Sequence, residues 1–222
     1  MSESGMLKLS MLIISYNEDN MDRIVSEARR ILTTGGFIAY PTESYYALGV
    51  LATDEEAVER LYELKKRPAD KPLPVIVGSA DGLLSIVKNV PGQAKSLMEK
   101  FWPGPLTLIF NAADTVPALL TGGTGRVAVR IPGESAALRL AGSIKLPITS
   151  TSANPSGEDP ADTVNTIIKY FREEIDLIID AGKTPGGRPS TIVDVTVTPP
   201  VVLREGSLLL DKMQGIIHPD RH

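Results

Sequence analysis

The 222-residue chain contains no cysteine, and its only two histidines, His218 and His222, fall within the last five positions. The absence of cysteine excludes disulfides, thiolate nucleophiles and zinc–thiolate clusters. Because both imidazoles lie at the end of the chain, a Ser-His-Asp relay or an imidazole base inside the fold is not expected. Any catalysis must therefore depend on carboxylates, hydroxyls, backbone amides and cations, with charge stabilisation as the leading mechanism.

Long hydrophobic runs and a cationic excess are also missing. No stretch approaches the ~18 uninterrupted apolar residues of a membrane span, and the N-terminus lacks the pattern of an export signal. The sequence therefore predicts a cytoplasmic protein with no membrane partner. A net charge of −4 argues against general coating of nucleic acid, although it is compatible with a local basic cavity for a small anion.

Strand and helix patterns alternate along the chain. Strands are predicted at residues 11–15, 37–40, 74–77, 106–110, 127–131, 148–150, 177–180, 191–195 and 201–203, and helices at about 20–33, 53–65, 93–101 and 163–171. The second helix carries a capping-box pair, Thr53 and Glu56, and places Val58, Leu61 and Lys65 on one face.

This alternation predicts an α/β fold, and the strand-rich last third favours a mixed sheet. We expect a single-domain twisted mixed β-sheet flanked by helices over residues 14–208. Residues 1–10 and 213–222 are expected to be loose termini.

A turn rich in cations follows the second helix. Lys65, Arg67 and Lys71 cluster in a proline-containing segment between that helix and a buried strand. Arginine supplies forked donors for phosphate or carboxylate, and lysine supplies point charge. The turn therefore predicts an anion site, which is neither a Walker loop nor a Rossmann fingerprint because both motifs are absent.

Further polar clusters lie at predicted strand ends or in turns, where open α/β sheets bind ligands. They are Pro41-Thr42-Glu43-Ser44, Arg126 with Arg130, residues 149–154, and Ser190-Thr191 with Arg204. Each cluster alone also fits a surface ion pair or a turn cap. Together, the cations and hydroxyl-rich turns fit a nucleotide phosphate chain bound beside a polar small molecule.

With these motifs assembled, the chain resembles the YrdC-type threonylcarbamoyl-AMP synthases from about residue 22 to residue 206. The motifs are Pro-Thr-Glu-Ser at Pro41, Lys-x-Arg at Lys65, Lys-Pro-Leu at Lys71, Trp-Pro-Gly-Pro-Leu-Thr at Trp102, Val-Ala-Val-Arg-Ile-Pro at Val127, Thr-Ser-Ala-Asn-Pro-Ser-Gly at Thr151, Ser-Thr-Ile-Val-Asp at Ser190 and Leu-Arg-Glu-Gly at Leu203. No single motif is specific, whereas their order along one chain is.

The resemblance implies a YrdC-like domain with a large basic concave cavity. It implies an enzyme that makes threonylcarbamoyl-AMP and pyrophosphate from L-threonine, bicarbonate and ATP, with Mg²⁺ accompanying ATP as co-substrate. It also implies tRNA-modification partner proteins that move the threonylcarbamoyl group onto an adenosine beside the tRNA anticodon.

The resemblance also assigns roles to individual residues. The implied threonine contacts are Ser44, Arg130, Ser150 and Ser190. The implied ATP contacts are Arg67, Lys71, Arg126, Ser152, Asn154 and Arg204. Lys65 and Arg67 are the implied catalytic residues, and no side chain is identified as a metal ligand.

The chain departs from the family pattern at several positions. The string Ser44-Tyr45-Tyr46-Ala47 stands where relatives usually have Thr-Val-Tyr-Gly, Ile76 replaces a histidine of certain relatives, and Pro160 replaces a frequent serine. Two alternatives stay open: a non-catalytic YrdC-like module that binds RNA or acts in RNA maturation, and a paralogous carbamoyl-adenylate enzyme with another acceptor. Weak RNA binding is a separate expectation for the enzyme itself.

Overall fold

Strands and helices alternate through the part of the chain that the computed structural model describes, residues 11–217. The strands are β1 (Leu12–Ser15), β2 (Ile38–Pro41), β3 (Tyr46–Gly49), β4 (Val75–Ile76), β5 (Leu106–Asn111), β6 (Arg126–Arg130), β7 (Ile148–Thr149), β8 (Thr151–Ser152), β9 (Leu177–Asp180), β10 (Thr191–Asp194) and β11 (Val201–Arg204). The helices are α1 (Met21–Thr33), α2 (Glu55–Lys65), α3 (Ala80–Leu84), α4 (Gly92–Phe101), α5 (Ala136–Ile144), α6 (Val164–Phe171) and α7 (Gln214–Ile217).

The cap of α2 differs from the sequence expectation. The helix begins at Glu55, so the capping position falls on Asp54, whose carboxylate accepts a hydrogen bond from the Ala57 amide (3.0 Å). The assignment of a capping box to Thr53 was therefore wrong by one residue. The apolar face of α2 is as predicted, because Val58, Leu61 and Lys65 are all buried.

The strands form two mixed sheets, whereas one twisted sheet was expected. The first sheet has the order β1-β9-β2-β3-β8 and the second has the order β11-β10-β5-β6-β4-β7. Each sheet combines parallel pairs, such as β1 with β9 and β10 with β5, with antiparallel pairs, such as β2 with β3 and β5 with β6. The mixed α/β class is confirmed, and the division into two sheets corrects the expectation of one.

The chain crosses from one sheet to the other around Ser150. Strand β7 ends at Thr149 in the second sheet, and β8 begins at Thr151 in the first. Backbone bonds secure the crossing: the Ser150 amide donates to the Pro74 carbonyl (2.8 Å) and the Thr149 amide to the Val50 carbonyl (3.0 Å). The segment between β7 and β8 therefore holds Ser150 at the junction of the two sheets.

Helices α1 and α5 cover one side of the first sheet. Their buried apolar residues join those of β1, β2 and β9 in one cluster, which includes Ile24, Leu32, Leu140 and Ile179. Ser135 caps α5 by accepting a hydrogen bond from the Leu138 amide (3.4 Å). A larger cluster includes the buried face of α2 and packs buried residues of both sheets together. Burial of these side chains provides the main driving force for this packing.

The two ends of the chain are only partly described. Residues 1–10 and 218–222, which belong to the predicted loose termini, lie outside the described residues. Residues 213–217, the rest of the predicted C-terminal tail, include α7, and Met213 and Ile217 are buried in the core. Within residues 11–217, no helix combines the length and apolar character that a membrane crossing needs.

Close packing at Gly78 leads to a stability prediction. A Cβ atom at this position would lie 2.4 Å from backbone atoms of Ala141 and Gly142 in α5. Because backbone has to move to accommodate it, Gly78→Ala is expected to lower the free energy of unfolding by about 1–3 kcal/mol. Gly142→Ala is the matched control, since a Cβ there meets nothing within 4 Å. Chemical denaturation of both variants tests this, and equal stabilities would contradict the packing argument.

Candidate functional site

A cavity of about 650 Å³ is lined by residues from both sheets. Strands β3 and β8 of the first sheet and strands β4, β5, β6, β10 and β11 of the second contribute to it. Of the residues predicted for the site, the lining includes Ser44, Arg67, Arg130, Ser150, Ser152, Ser190 and Arg204. It does not include Lys65, Lys71, Arg126 or Asn154.

The cationic turn separates into three different environments. Arg67 lines the cavity, and its guanidinium donates to the carbonyls of Lys71 (Nε, 3.0 Å) and Pro72 (Nη2, 2.9 Å). These bonds hold the guanidinium against its own turn without neutralising its charge. Lys71 is exposed and lies outside the lining, so the structure does not bring its ammonium together with Arg67 in the cavity.

Lys65 is buried behind the cavity wall. Its Nζ donates to the carbonyls of Ser152 and Asn154, both at 2.5 Å, and its own carbonyl accepts from the Ser156 amide (2.7 Å). Burial, together with the nearby positive charge of Arg67, lowers the pKa of Lys65 to about 7. Lys65 therefore ties the end of α2 to the end of β8 at Ser152 and to the residues that follow it, and its own side chain does not line the cavity.

Asn154 supports the same turn from inside. It is buried, and its amide group donates to the carbonyls of Pro155 (2.9 Å) and Glu158 (2.6 Å). Its Oδ1 has no hydrogen-bond partner among residues 11–217. Like Lys65, Asn154 stabilises the wall on which Ser152 lies.

Arg130 lines the cavity at the end of β6 and is paired with an acid. Its Nη2 donates to Oε2 of Glu43 (3.0 Å), and Oε1 of Glu43 accepts from the Gly133 amide (2.7 Å). The Arg130 and Glu43 side chains are only 15% and 27% exposed. This ion pair lies close to Tyr40, the buried tyrosine whose pKa is raised by burial and whose hydroxyl donates to the Thr149 carbonyl (2.9 Å).

A third arginine reaches the cavity from β11. The Arg204 guanidinium donates to the Ser190 carbonyl through Nε (3.3 Å) and Nη2 (2.9 Å). The Ser190 hydroxyl shares a hydrogen bond with the buried Thr107 hydroxyl (2.8 Å), and both residues line the cavity. Strand pairing brings these groups together, because β10 lies between β5 and β11.

Arg126 lies on the same face of the second sheet but beyond the cavity. Side chains alternate along β6, so Arg126 shares a face with the lining residues Ala128 and Arg130. Its Nη1 donates to Oδ2 of Asp194 (2.9 Å), which is almost completely buried. The structure therefore places Arg126 next to an acid at an outer end of the site.

The turn between β2 and β3 presents hydroxyl groups. The Thr42 hydroxyl donates to the Tyr45 carbonyl (2.7 Å) and accepts from the Ser44 amide (3.2 Å). The Ser44 carbonyl accepts from the Gly186 amide (2.7 Å), which connects this turn to the loop before β10. Thr42, Ser44 and Tyr45 all line the cavity.

Several lining residues were not predicted. Thr42, Tyr45, Thr107, Ile109, Ile192 and Leu203 line the cavity without having been assigned a role. Thr42, Thr107, Ile192 and Leu203 belong to the quoted motifs, and strand alternation from Thr107 along β5 could have located Ile109. The positions that depart from the family pattern, Ser44, Tyr45, Ala47, Ile76 and Pro160, all lie in this lining.

The arrangement suits the binding of anions next to hydroxyl-rich surfaces. Three guanidiniums supply forked donors, and serine and threonine hydroxyls can bind the remaining oxygens. Within residues 11–217, no group of three or more acidic or histidine side chains could hold a metal ion. The chemistry that these residues offer is therefore the positioning of anions and the stabilisation of negative charge.

The chain is similar to known proteins over most of its length. A curated protein from Pyrococcus abyssi, named threonylcarbamoyl-AMP synthase, is 39% identical over 206 residues, which cover 93% of this chain and 61% of that protein. The structure of P. abyssi Sua5 complexed with L-threonine matches with a TM-score of 0.85 at 38% identity, over 94% of this chain and 61% of that one. The present chain thus spans about three fifths of the length of these relatives.

A relative of similar length is the E. coli YciO structure, with a TM-score of 0.76 at 29% identity, over 90% of this chain and 96% of that one. The family model for Sua5, YciO and YrdC, described as "Telomere recombination", matches residues 30–206. That range covers most of the chain and contains every residue that was predicted for the site. The chain is therefore a member of the Sua5/YciO/YrdC family.

Proposed function

We propose that this protein is a threonylcarbamoyl-AMP synthase, which makes threonylcarbamoyl-AMP and pyrophosphate from L-threonine, bicarbonate and ATP. The observation that carries the proposal is the convergence of Arg67, Arg130 and Arg204, from distant parts of the chain, on one hydroxyl-lined cavity. The relatives support it, because one carries this enzyme name and one was solved with L-threonine.

The proposed reaction depends on positioning anions and stabilising negative charge, which arginine and hydroxyl side chains can provide. The neutral amine of threonine attacks bicarbonate, which gives a carbamate and releases water. A carbamate oxygen then attacks the α-phosphorus of ATP, and the bond to the leaving oxygen breaks with its electron pair, so pyrophosphate departs. Holding the two anions in line and stabilising charge on the pentavalent phosphorus accounts for most of the catalysis.

The proposed roles follow the position of each residue. Ser44, Arg130, Ser150 and Ser190 would hold threonine, and Arg67, Ser152 and Arg204 would hold ATP. Lys71 and Arg126, which lie outside the lining, would contact the outer parts of ATP. Lys65 and Asn154 would act by holding the end of β8, where Ser152 lies, and the turn after it, rather than as direct contacts.

Magnesium, partners and location complete the proposal. Mg²⁺ would enter as the counterion of ATP, since it retains waters and binds well to phosphate oxygens without a protein cage. Partner proteins would take the threonylcarbamoyl group to tRNA, and the reaction would take place in the cytoplasm. The product is an activated acyl donor, so a transfer enzyme must consume it before water does.

Release of pyrophosphate tests the proposed function. With threonine, bicarbonate, ATP and Mg²⁺ present, the protein is expected to release pyrophosphate, and omission of threonine or bicarbonate should reduce the signal to background. Arg204→Ala should lose most activity, whereas Arg139→Ala should keep it, because Arg139 is an exposed residue paired with Glu18. An absence of threonine-dependent pyrophosphate at saturating substrate would refute the proposal.

The same assay separates the alternatives. A carbamoyl-adenylate enzyme with another acceptor would release pyrophosphate with a different amino acid, and the lining residues Ala47 and Ile76 are where such a preference would arise. A panel of amino acids therefore identifies the acceptor. A non-catalytic RNA-binding module would instead show steeply salt-dependent RNA affinity with no turnover.

A further inference from the structure

Glu43 is an acidic side chain whose two oxygens both have partners beside the cavity. Oε2 pairs with Nη2 of Arg130 at 3.0 Å, and Oε1 accepts from the Gly133 amide at 2.7 Å. Both side chains of the pair are largely withdrawn from water. Because two anchors fix the carboxylate, Glu43 in turn fixes the orientation of the guanidinium.

The three arginines that line the cavity differ in how their charge is balanced. Arg67 and Arg204 donate to backbone carbonyls, and neither pairs with an acidic side chain of residues 11–217, which leaves their positive charges uncompensated. Arg130 is the one that forms an ion pair, among the described residues. The cavity therefore has one arginine with a balancing acid and two without.

We infer that Glu43 is a positioning residue that presents Arg130 to a single carboxylate and keeps phosphate groups away from that arginine. This inference rests on the proposed function, in which Arg130 binds the carboxylate of threonine. It assigns to Glu43 a role in separating the two anionic substrates.

The physical argument compares the two ligands at Arg130. A guanidinium has five N–H donors, and the ion pair with Glu43 uses one of them, so a fork remains for one carboxylate. A phosphate group carries more negative charge, and the Glu43 carboxylate repels it more strongly. Within the described chain, the same phosphate meets no such carboxylate partner at Arg67 or Arg204, so polyphosphate is directed to those two residues.

Kinetics of Glu43→Gln and Glu43→Ala test the inference, with labelled pyrophosphate released from ATP as the signal. Glu43→Gln is expected to raise KM for threonine about tenfold, and Glu43→Ala more, while KM for ATP stays within about twofold of wild type. Sulfate, used as a stand-in for phosphate, should become a competitive inhibitor against threonine in both variants. In wild type at the same ionic strength, sulfate should not compete with threonine.

Glu134→Gln is the matched control. It removes the same charge next to Gly133, but Glu134 is 84% exposed, and the ion-pair partner it has in the described part of the chain is Arg139, at 3.9 Å. Wild-type KM for both substrates is expected in this variant. If Glu43 were only structural, its variants would lose kcat and thermal stability with KM unchanged and no sulfate competition, and that result overturns the inference. If wild type itself releases no threonine-dependent pyrophosphate, the proposed function fails first, and the role of Glu43 fails with it.

Discussion

Replacing Arg67 by alanine is expected to lower kcat/KM for ATP by about 10²–10³-fold, with the free energy of unfolding within about 1 kcal/mol of wild type. Arg67 lies in a turn, lines the cavity, and donates to the carbonyls of Lys71 and Pro72, with the Tyr62 hydroxyl also beside its guanidinium. Its loss removes a forked donor for phosphate without opening the core. The Lys71 carbonyl still lies 2.8 Å from the Tyr62 hydroxyl, whose one O–H it shares with the Leu119 carbonyl, so the turn retains part of its support.

Two further variants define the cause of this loss. Arg67→Lys keeps the charge but not the fork, and we expect it to recover only part of the activity. Arg23→Ala removes an exposed arginine of α1 and should match wild type. Steady-state kinetics and denaturant unfolding measure both quantities. Full activity of Arg67→Ala would contradict the assignment of Arg67 to ATP.

Lys65→Met is expected to lower kcat by about 10²-fold although Lys65 does not line the cavity. The substitution removes the donors to the Ser152 and Asn154 carbonyls, and so releases the end of β8 at Ser152 and the turn after it. Misplacement of a binding group by as little as about 1 Å can cost this much in rate. Lys169→Met, on the exposed face of α6, is the control and should retain activity.

The buried Lys65 is also expected to make the free energy of unfolding depend on pH, and Lys65→Met serves as the reference. Burial lowers the pKa of Lys65 to about 7 from 10.5, so above pH 7 the folded protein releases a proton that the unfolded chain still holds. The free energy of unfolding of wild type should therefore rise with pH relative to Lys65→Met between pH 7 and pH 10.5, and the difference should be constant below pH 7. Denaturant unfolding at pH 6, 7 and 9 measures this. A difference that falls between pH 7 and pH 9 would contradict the burial argument.

Local patterns in the sequence were sufficient for most of the secondary structure. The apolar period of α1 and α2 and the buried runs of β5, β6 and β9 identify these elements, because a helix or a strand needs a particular spacing of apolar residues. They were insufficient for β3, a wholly buried four-residue strand that contains Gly49. Such a short run without alternation has no distinctive spacing, so only its pairing with β2 and β8 defines it.

The candidate site shows the same limit. Motif order identified the family and nominated seven of the cavity-lining residues, whereas it assigned Lys65 and Asn154 to direct contacts. The orientation of Lys65 depends on carbonyls 87 and 89 positions away in the chain. The long side chain of a lysine can point toward a ligand or toward backbone carbonyls. The sequence around Lys65 does not distinguish these two orientations.

The sequence was enough to establish the mixed α/β class, the family and the kind of chemistry, because composition excluded thiols and internal imidazoles and because motifs recur in order. The division into two sheets, the cavity that both of them line and the pairing of Glu43 with Arg130 required the folded chain. Glu43 and Arg130 are 87 positions apart in the sequence. The paired strands β1 and β9 are also far apart in the sequence. Contacts between residues so distant in sequence form when hydrophobic burial packs the layers of the fold together. The local sequence around either partner therefore does not predict them.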